Sequence, residues 1–559
     1  MPTMSLLADY RASTSPTVLA NITNAPIGKL GDADHAALVQ LIIDDIVAAR
    51  TGQGRLVSKD VVLALGAVKS LGRIEAGSRV VASKENMNHI LNVAKDLSAS
   101  NVEASKQAMR CIANAILLIP AGRDTLVELE GDEFCTRIYI NEGSSPEYIF
   151  LASRLLFFMV HTDGPFISRV VRQHRLPSLL AQQIESLGQS DAPFAKDALV
   201  DLLKLHFSAV SKYSKLVGHD SGSGLVLGDY WDDVFEPTAS PLIKLFHTLP
   251  SLPSDPLAGP LTYVVHALIN IPVVPFAHLW FPRSPKPSRS SSSGTQSPRP
   301  SLDKAGSPVE GSGSGSPLSR ALNLLNRKSS PGRKSPPPTG DSALRALSIL
   351  QSILALHLPG NSDPDDAAVR GALTAKGVVL NEFAPPIVVL LTRLVAGDEG
   401  ARTRVAAIVL PADLDRSSPL EKRDDFLGRC LRIMTSVYSP TLKDAVGEML
   451  FVLCGSDGQA LSAAIGYGNA AGYLYNKGIM APPPASSAGD DVNPITGTRQ
   501  TPAGPELADM TDEEKQREAE KLFVLFDRME RMGMAKNPIR EAFQSGKFEK
   551  FEKKDEDSD

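Results

Sequence analysis

Two cations come first among the residues that could do chemistry. Lys69 and Arg73 stand four apart in K-S-L-G-R, a spacing that puts both on one face of a helix. Further on, single polar residues interrupt apolar runs. Asn114 sits in A-M-R-C-I-A-N-A-I, Arg154 in L-A-S-R-L-L-F, Asn270 in H-A-L-I-N-I-P, and Arg402 lies beside Arg404. Taken singly, each is a side chain that snorkels to solvent or caps a loop. As a set, cations and amides on successive helices suit an acceptor-rich peptide, such as a helix C-terminus with its carboxylate. That is recognition chemistry rather than proton transfer.

Covalent chemistry finds no foothold. No H-E-x-x-H, G-x-S-x-G or G-x-x-x-x-G-K-[ST] occurs, so neither zinc hydrolysis, a nucleophile elbow nor a P-loop is expected. Gly466, Gly468 and Ala471 fit G-x-G-x-x-A. A dinucleotide fingerprint must leave a strand, whereas residues 460–465 read as helix. His206 and His266 fall in apolar helix patterns and read as packed structural residues. Asp44-Asp45 and Asp424-Asp425 are adjacent, so their carboxylates point to different helix faces. The chain is expected to have no catalytic residue, no metal and no cofactor.

The elements that must position these residues are helices. From Asp32 on, apolar blocks recur at 59–73, 105–120, 148–160, 196–210 and 259–273. They are apolar around most of their circumference, so each must be covered on several sides. A period of roughly forty-five residues without strand alternation is the mark of armadillo or HEAT repeats. A wider step before 259 predicts a loop near 221–225 and 231–237. Leu344, Leu347, Leu350, Leu354 and Leu358 mark a further stripe with Asp341 as its N-cap, followed by blocks at 386–395, 426–434 and 442–454. The fold class expected is all-α, an armadillo/HEAT-like superhelix.

Between the halves, residues 281–340 hold 16 serines and 11 prolines, with ten Lys/Arg against two Asp/Glu. That composition cannot offset its ordering entropy and reads as a disordered basic loop. Ser-Pro steps at Ser284, Ser297, Ser307, Ser316, Ser330 and Ser335 make it either a tether or a proline-directed phosphorylation cluster. Residues 318–325 within it could form a short binding helix. The organisation is therefore 1–280 repeats, 281–340 loop, 341–480 repeats, 481–510 linker and 511–559 tail. The tail opens with a capping box, Thr511-Asp512-Glu513-Glu514. Leu522, Leu525, Phe526 and Met529 then share a stripe, and Phe543, Phe548 and Phe551 stand among charges. It reads either as a frayed terminus or as an amphipathic segment that folds onto a partner.

The bulk numbers agree with a partner-binding array. The chain has 559 residues and a net charge of −5, which does not favour nucleic acid. Four cysteines, Cys111, Cys135, Cys430 and Cys454, are scattered without a C-x-x-C, which suits a reducing compartment. No cationic region followed by an apolar run opens the chain, so no secretory signal is expected. No membrane span is expected either, since the most apolar stretch, 384–396, carries Arg393 and two prolines. A cytoplasmic monomer is the expectation.

Several motifs carry a family resemblance. L-F-V-L-C followed by G-Y-G-N-A-A-G-x-L, around 450–474, resembles the synembryn (resistance to inhibitors of cholinesterase) family. K-x-x-x-R at Lys69 and Arg73, the blocks around Asn114, Arg154 and Asn270, L-L-K-L-H-F at 202–207, N-P-I-T-G at 493–497 and M-T-D-E-E-K at 510–515 are similar to its motifs in order. The resemblance implies chaperones and non-receptor guanine-nucleotide exchange factors for heterotrimeric G-protein α subunits (Gα). It implies a superhelix whose concave face, here Lys69, Arg73, Asn114, Arg154, Asn270 and Arg402, grips the C-terminal helix of Gα. It implies tail helices, here carrying Leu522, Phe526, Met529 and Phe543, that hold the Ras-like domain. Three departures stand out. Lys69 replaces the usual Arg, Glu399 falls where a second cation is expected near Arg402, and the Ser/Pro loop looks like an insertion of a fungal member. A repeat scaffold without exchange activity is the alternative.

Overall fold

The computed structural model describes residues 6–499 apart from 27–29, 142, 163, 218–230, 282–339, 480–491. The six Ser-Pro serines, the 318–325 segment and the tail residues Leu522, Phe526, Met529 and Phe543 lie outside the described residues. Among the described residues every regular element is a helix, and the β features are isolated bridges, Leu252 with Asp255 and Val492 with Arg499. The fold is an all-α helical-repeat array.

Its unit is a triplet of helices. Glu75–Val81, Lys84–Asp96 and Val102–Leu118 form one; Gly122–Glu128, Gly131–Ile140 and Pro146–Met159 form the next. The third helices stack side by side: Val61–Leu71, Val102–Leu118, Pro146–Met159, Ala195–Leu216, Leu261–Ile269, Pro385–Gly397 and Pro440–Leu453. Local sequence sets where they start. Asn101 Oδ1 accepts from Ala104 N at 3.1 Å, and Ser145 caps the next third helix with Pro146 in its first turn, a residue that needs no N–H partner there. Asp341 caps Ser342–His357 through the N–H groups of Ala343 and Leu344, as its position predicts.

Periodicity then decides which side is covered. In Val102–Leu118 the residues Ala104, Ala108, Met109, Ile112, Ala115 and Ile116 are fully buried. Glu103, Lys106, Gln107, Arg110, Asn114 and Leu117 keep some exposure. Each Leu, Ile or Met so buried contributes about 1.5–3 kcal/mol relative to exposure. A lone helix covers none of them, so the triplets stand by stacking.

The array continues across the 282–339 segment. Leu261–Ile269 packs on Pro385–Gly397, and Ala239–Thr248 on Ser342–His357. His247 Nε2 meets Ser342 Oγ at 2.9 Å, and Arg345 lies over the Phe246 ring at 5.3 Å while donating to the Leu249 carbonyl. The two ends of the segment meet at Arg404, whose Nε is 2.7 Å from Asp341 Oδ2 and whose guanidinium lies 5.9 Å from the Phe281 ring centre. In the expected loop before 259, Trp231 packs against Phe235 and Phe276, and Asp233–Thr238 is a short 3-10 turn.

One stretch, Leu380–Gly397, which contains the apolar run 384–396, is long and apolar enough by composition to cross a membrane. In the array it is half buried, packed between neighbouring third helices. Cys111, Cys135 and Cys430 are buried and Cys454 partly so. Burial pushes the Cys111 thiol up to about 12 and that of Cys454 to about 11, which leaves them as packing groups rather than nucleophiles.

Candidate functional site

The exposed stripe of the third-helix row opens into two clefts. Lys69, in the last turn of Val61–Leu71, and Arg73, just beyond its end, line the first, of about 500 Å³. Its far wall is the elbow Thr23, Asn24, Ala25 and Pro26, and no acid is among the residues that line it. Ser70 Oγ donates to the Thr23 carbonyl at 2.8 Å, fastening the elbow to the helix. Asn114 Nδ2 donates to the Lys69 carbonyl at 3.2 Å, so the amide ties this helix to the next.

Asn114 also borders the second cleft, of about 320 Å³, with Ala113, Leu117, Arg154, Phe157, Phe158, Asp201 and Lys204. Here Arg154 Nε is 2.7 Å from Asp201 Oδ2, and Lys204 Nζ is 3.6 Å from Asp201 Oδ1. Arg154 lies over the Phe150 ring at 4.3 Å and Lys204 over Tyr263 at 4.9 Å. The aromatic faces favour the cations through their quadrupoles and hold them in place.

At the N-terminal ends of the same helices the charges are closed off. Glu147 accepts from both Lys106 and Arg110, and Lys106 is also 2.7 Å from Glu103. Burial alone would lift the Glu103 carboxyl, but Lys106 holds it below the usual carboxylate range. Towards the C-terminal ends the surface is apolar, with Leu117 56% exposed and Phe157 and Phe158 half-buried beside it. An amphipathic helix with a negative end fits such a strip: paired charges on one margin, apolar surface on the other, cations between.

The remaining expected site residues fall elsewhere. Asn270 is 2% exposed at the C-terminal end of Leu261–Ile269 and lines neither cleft. Its Nδ2 has no hydrogen-bond partner among the described residues. Arg402 belongs to Glu399–Val409, a first helix of its triplet, and pairs with Glu399 one turn away. Arg404 is held by Asp341. The structure thus brings together Lys69, Arg73, Asn114 and Arg154, and leaves out Asn270 and Arg402. His206 is fully buried against Thr238 Oγ1 at 2.9 Å, and burial lowers it to about 4.

The glycine-rich stretch is a docking notch. Helix Gly458–Ile465 runs into Gly466, and Tyr467–Asn476 follows. The first N–H groups of that second helix, on Tyr467 and Gly468, donate to the carbonyls of Pro494 and Ile495 at 2.9 and 2.8 Å. Those donors are what a nucleotide phosphate would need, and here N-P-I-T-G occupies them. Arg416 locks the join, with its terminal nitrogens 2.6 and 2.8 Å from the carbonyls of Gly497 and Ala464. Among the described residues no group of three or more His, Cys, Asp or Glu could hold a metal ion.

A family model described as guanine nucleotide exchange factor synembryn matches residues 64–547, from the first cleft through the notch and into the tail. The chain belongs to the synembryn family. Proteins named "Chaperone Ric-8A" are similar to it. The one from Macaca fascicularis is 31% identical over 205 residues, covering 32% of this chain and 38% of the relative. That from Rattus norvegicus is 33% identical over 168 residues, 27% of this chain and 31% of the relative. That from Xenopus laevis is 31% identical over 209 residues, 33% and 38%. The matches span less than two fifths of those relatives' length. The backbone also aligns loosely with an engineered protein of solved structure, at a TM-score of 0.40 and 13% identity over 85% of this chain and 91% of the other.

Within this synembryn chain three groups escaped the sequence reading. Asp201 and Lys204 sit three apart in the apolar run 198–205, the same polar interruption that marks Arg154. Phe157 and Phe158 belong to the apolar block 148–160, where nothing in the sequence separates them from its covered residues. The elbow at 23–26 is legible as a loop at Asn24-Ala25-Pro26, but nothing in the sequence places it across from Lys69 and Arg73.

Proposed function

We propose that this chain is a non-receptor guanine-nucleotide exchange factor and folding chaperone for heterotrimeric Gα subunits. It binds Gα-GDP, loosens the nucleotide site so that GDP leaves, and holds the empty subunit until GTP enters. It does so without covalent chemistry, as a cytoplasmic monomer. The observation that carries this reading is the first cleft: Lys69 and Arg73 converge on an open space lined by no acid, in a member of the synembryn family. A helix C-terminus brings a partial negative charge and, at a chain end, a carboxylate. Two cations without an acid between them are complementary to it.

Release of GDP then follows by linkage. A protein that binds nucleotide-free Gα more tightly than Gα-GDP must weaken GDP by the same factor. Drawing the C-terminal helix of Gα onto the groove supplies that difference, and the same grip shields a newly made subunit. The test is GDP dissociation from purified Gα with and without this chain. Acceleration by at least about tenfold, or 1.4 kcal/mol, is expected. Binding without acceleration would instead favour a scaffold.

A further inference from the structure

The second cleft is built differently from the first. The Asp201 side chain is 7% exposed, and both Arg154 and Lys204 are turned towards it. One buried acid between two cations leaves a single positive charge. Arg154 engages Asp201 through Nε, and its terminal nitrogens make no hydrogen bond among the described residues. Each cation is also seated on a ring, Phe150 or Tyr263, so little side-chain freedom remains to be lost on binding. Leu117, Phe157 and Phe158 supply an apolar wall.

We propose that this cleft is a second anchor that reads one acidic side chain of the partner's C-terminal helix, while the terminal carboxylate rests at Lys69 and Arg73. The inference rests on the function proposed above. Spacing fixes the register. The helices bearing Lys69 and Arg154 are separated by Val102–Leu118, so the anchors are two interhelical steps apart, about 16–20 Å at 8–10 Å each. A helix rises 1.5 Å per residue, which places the acid about 11–13 residues before the C-terminus. One carboxylate balances the cleft. A basic side chain there would add repulsion in a half-desolvated site, and an amide would leave the charge unanswered. Asp201 acts as a positioning residue: it aims Arg154 and trims the cleft to one charge.

The test uses the full chain and fluorescent amphipathic helical peptides of about eighteen residues with a free C-terminus. A single Glu is scanned from about six to sixteen residues before the end, with Gln and Lys peptides as controls, by fluorescence anisotropy. Affinity is expected to peak with Glu in the 11–13 window, about tenfold above Gln. Lys204→Glu should abolish that peak and favour Lys at the same place, with circular dichroism unchanged. A scan without a maximum overturns the second anchor. If free acids still outbind C-terminal amides, the first cleft's role survives that failure; if no peptide binds at all, both readings fall.

Discussion

Gly466 and Gly497 meet backbone to backbone, with no room for a side chain on either. A Cβ on Gly466 would come 2.6 Å from the Gly497 nitrogen, and one on Gly497 would come 2.9 Å from the Gly466 nitrogen. Both residues have positive φ, 85° and 71°, a region other residues enter only at a cost. Gly466→Ala or Gly497→Ala should therefore undock 492–499. The expected loss is about 2 kcal/mol or more, read by urea denaturation, with new proteolytic cleavage near 492. Unchanged stability and an unchanged digest would mean that the notch is not needed.

Reversing the first cleft's charge tests the groove directly. Lys69→Glu with Arg73→Glu should weaken binding of Gα at least about tenfold while helical content stays the same. Both residues are surface-facing enough for the fold to tolerate the change, since Lys69 is half-buried and Arg73 exposed. Full affinity in the double variant would remove the cleft from the interface.

Removal of 511–559 should separate the proposed grip from the proposed exchange. The first cleft and Arg154 lie far upstream of the cut, so binding of a Gα C-terminal peptide should persist within about twofold. GDP release should fall by more than that, because the missing stretch carries Leu522, Phe526, Met529 and Phe543. Equal losses in the two assays would argue against a distinct role for the tail.

Acid should destabilise the array before it breaks any carboxylate pair. Burial holds His206 at about 4 against about 6.5 in an unfolded chain. His247, His266 and His357 are lowered too, each chiefly by burial. The unfolded chain then binds more protons, so stability falls as the pH drops from about 6.5 towards 4. At pH 5.5 the loss from His206 alone is on the order of 1 kcal/mol. Urea midpoints at pH 7.5 and 5.5 measure it, and His206→Gln should flatten the slope; an equal slope in that variant would assign the effect elsewhere.

Much of this was legible in the residues. The third helices show because an apolar circumference broken by one polar stripe has few other uses. Asp341 announces its cap; Lys69 stands out by its spacing to Arg73, and Asn114 and Arg154 by interrupting apolar runs, and these residues line the two clefts. The same signal also picks out residues that line neither cleft. Asn270 interrupts an apolar run because it ends a helix, with its amide turned inward. Arg402 stands in a first helix, whose outer face is polar for ordinary reasons and where Glu399 answers it. Asp201 carries no signal of a cation site, because an acid three residues from a lysine is an ordinary helix-surface pair. The union of 466–468 with 493–497 joins backbone groups distant in sequence, and main-chain contacts leave no side-chain signature beyond the glycines.

Arg404 holds Asp341 and the Phe281 ring at once, so contacts outside 282–339 themselves fasten the repeats on either side. The cost of closing a loop grows only slowly with its length. The array can therefore accept a shortened, lengthened or wholly foreign insert between 282 and 339. That makes this junction the natural splice point for a fluorescent reporter of the intact protein.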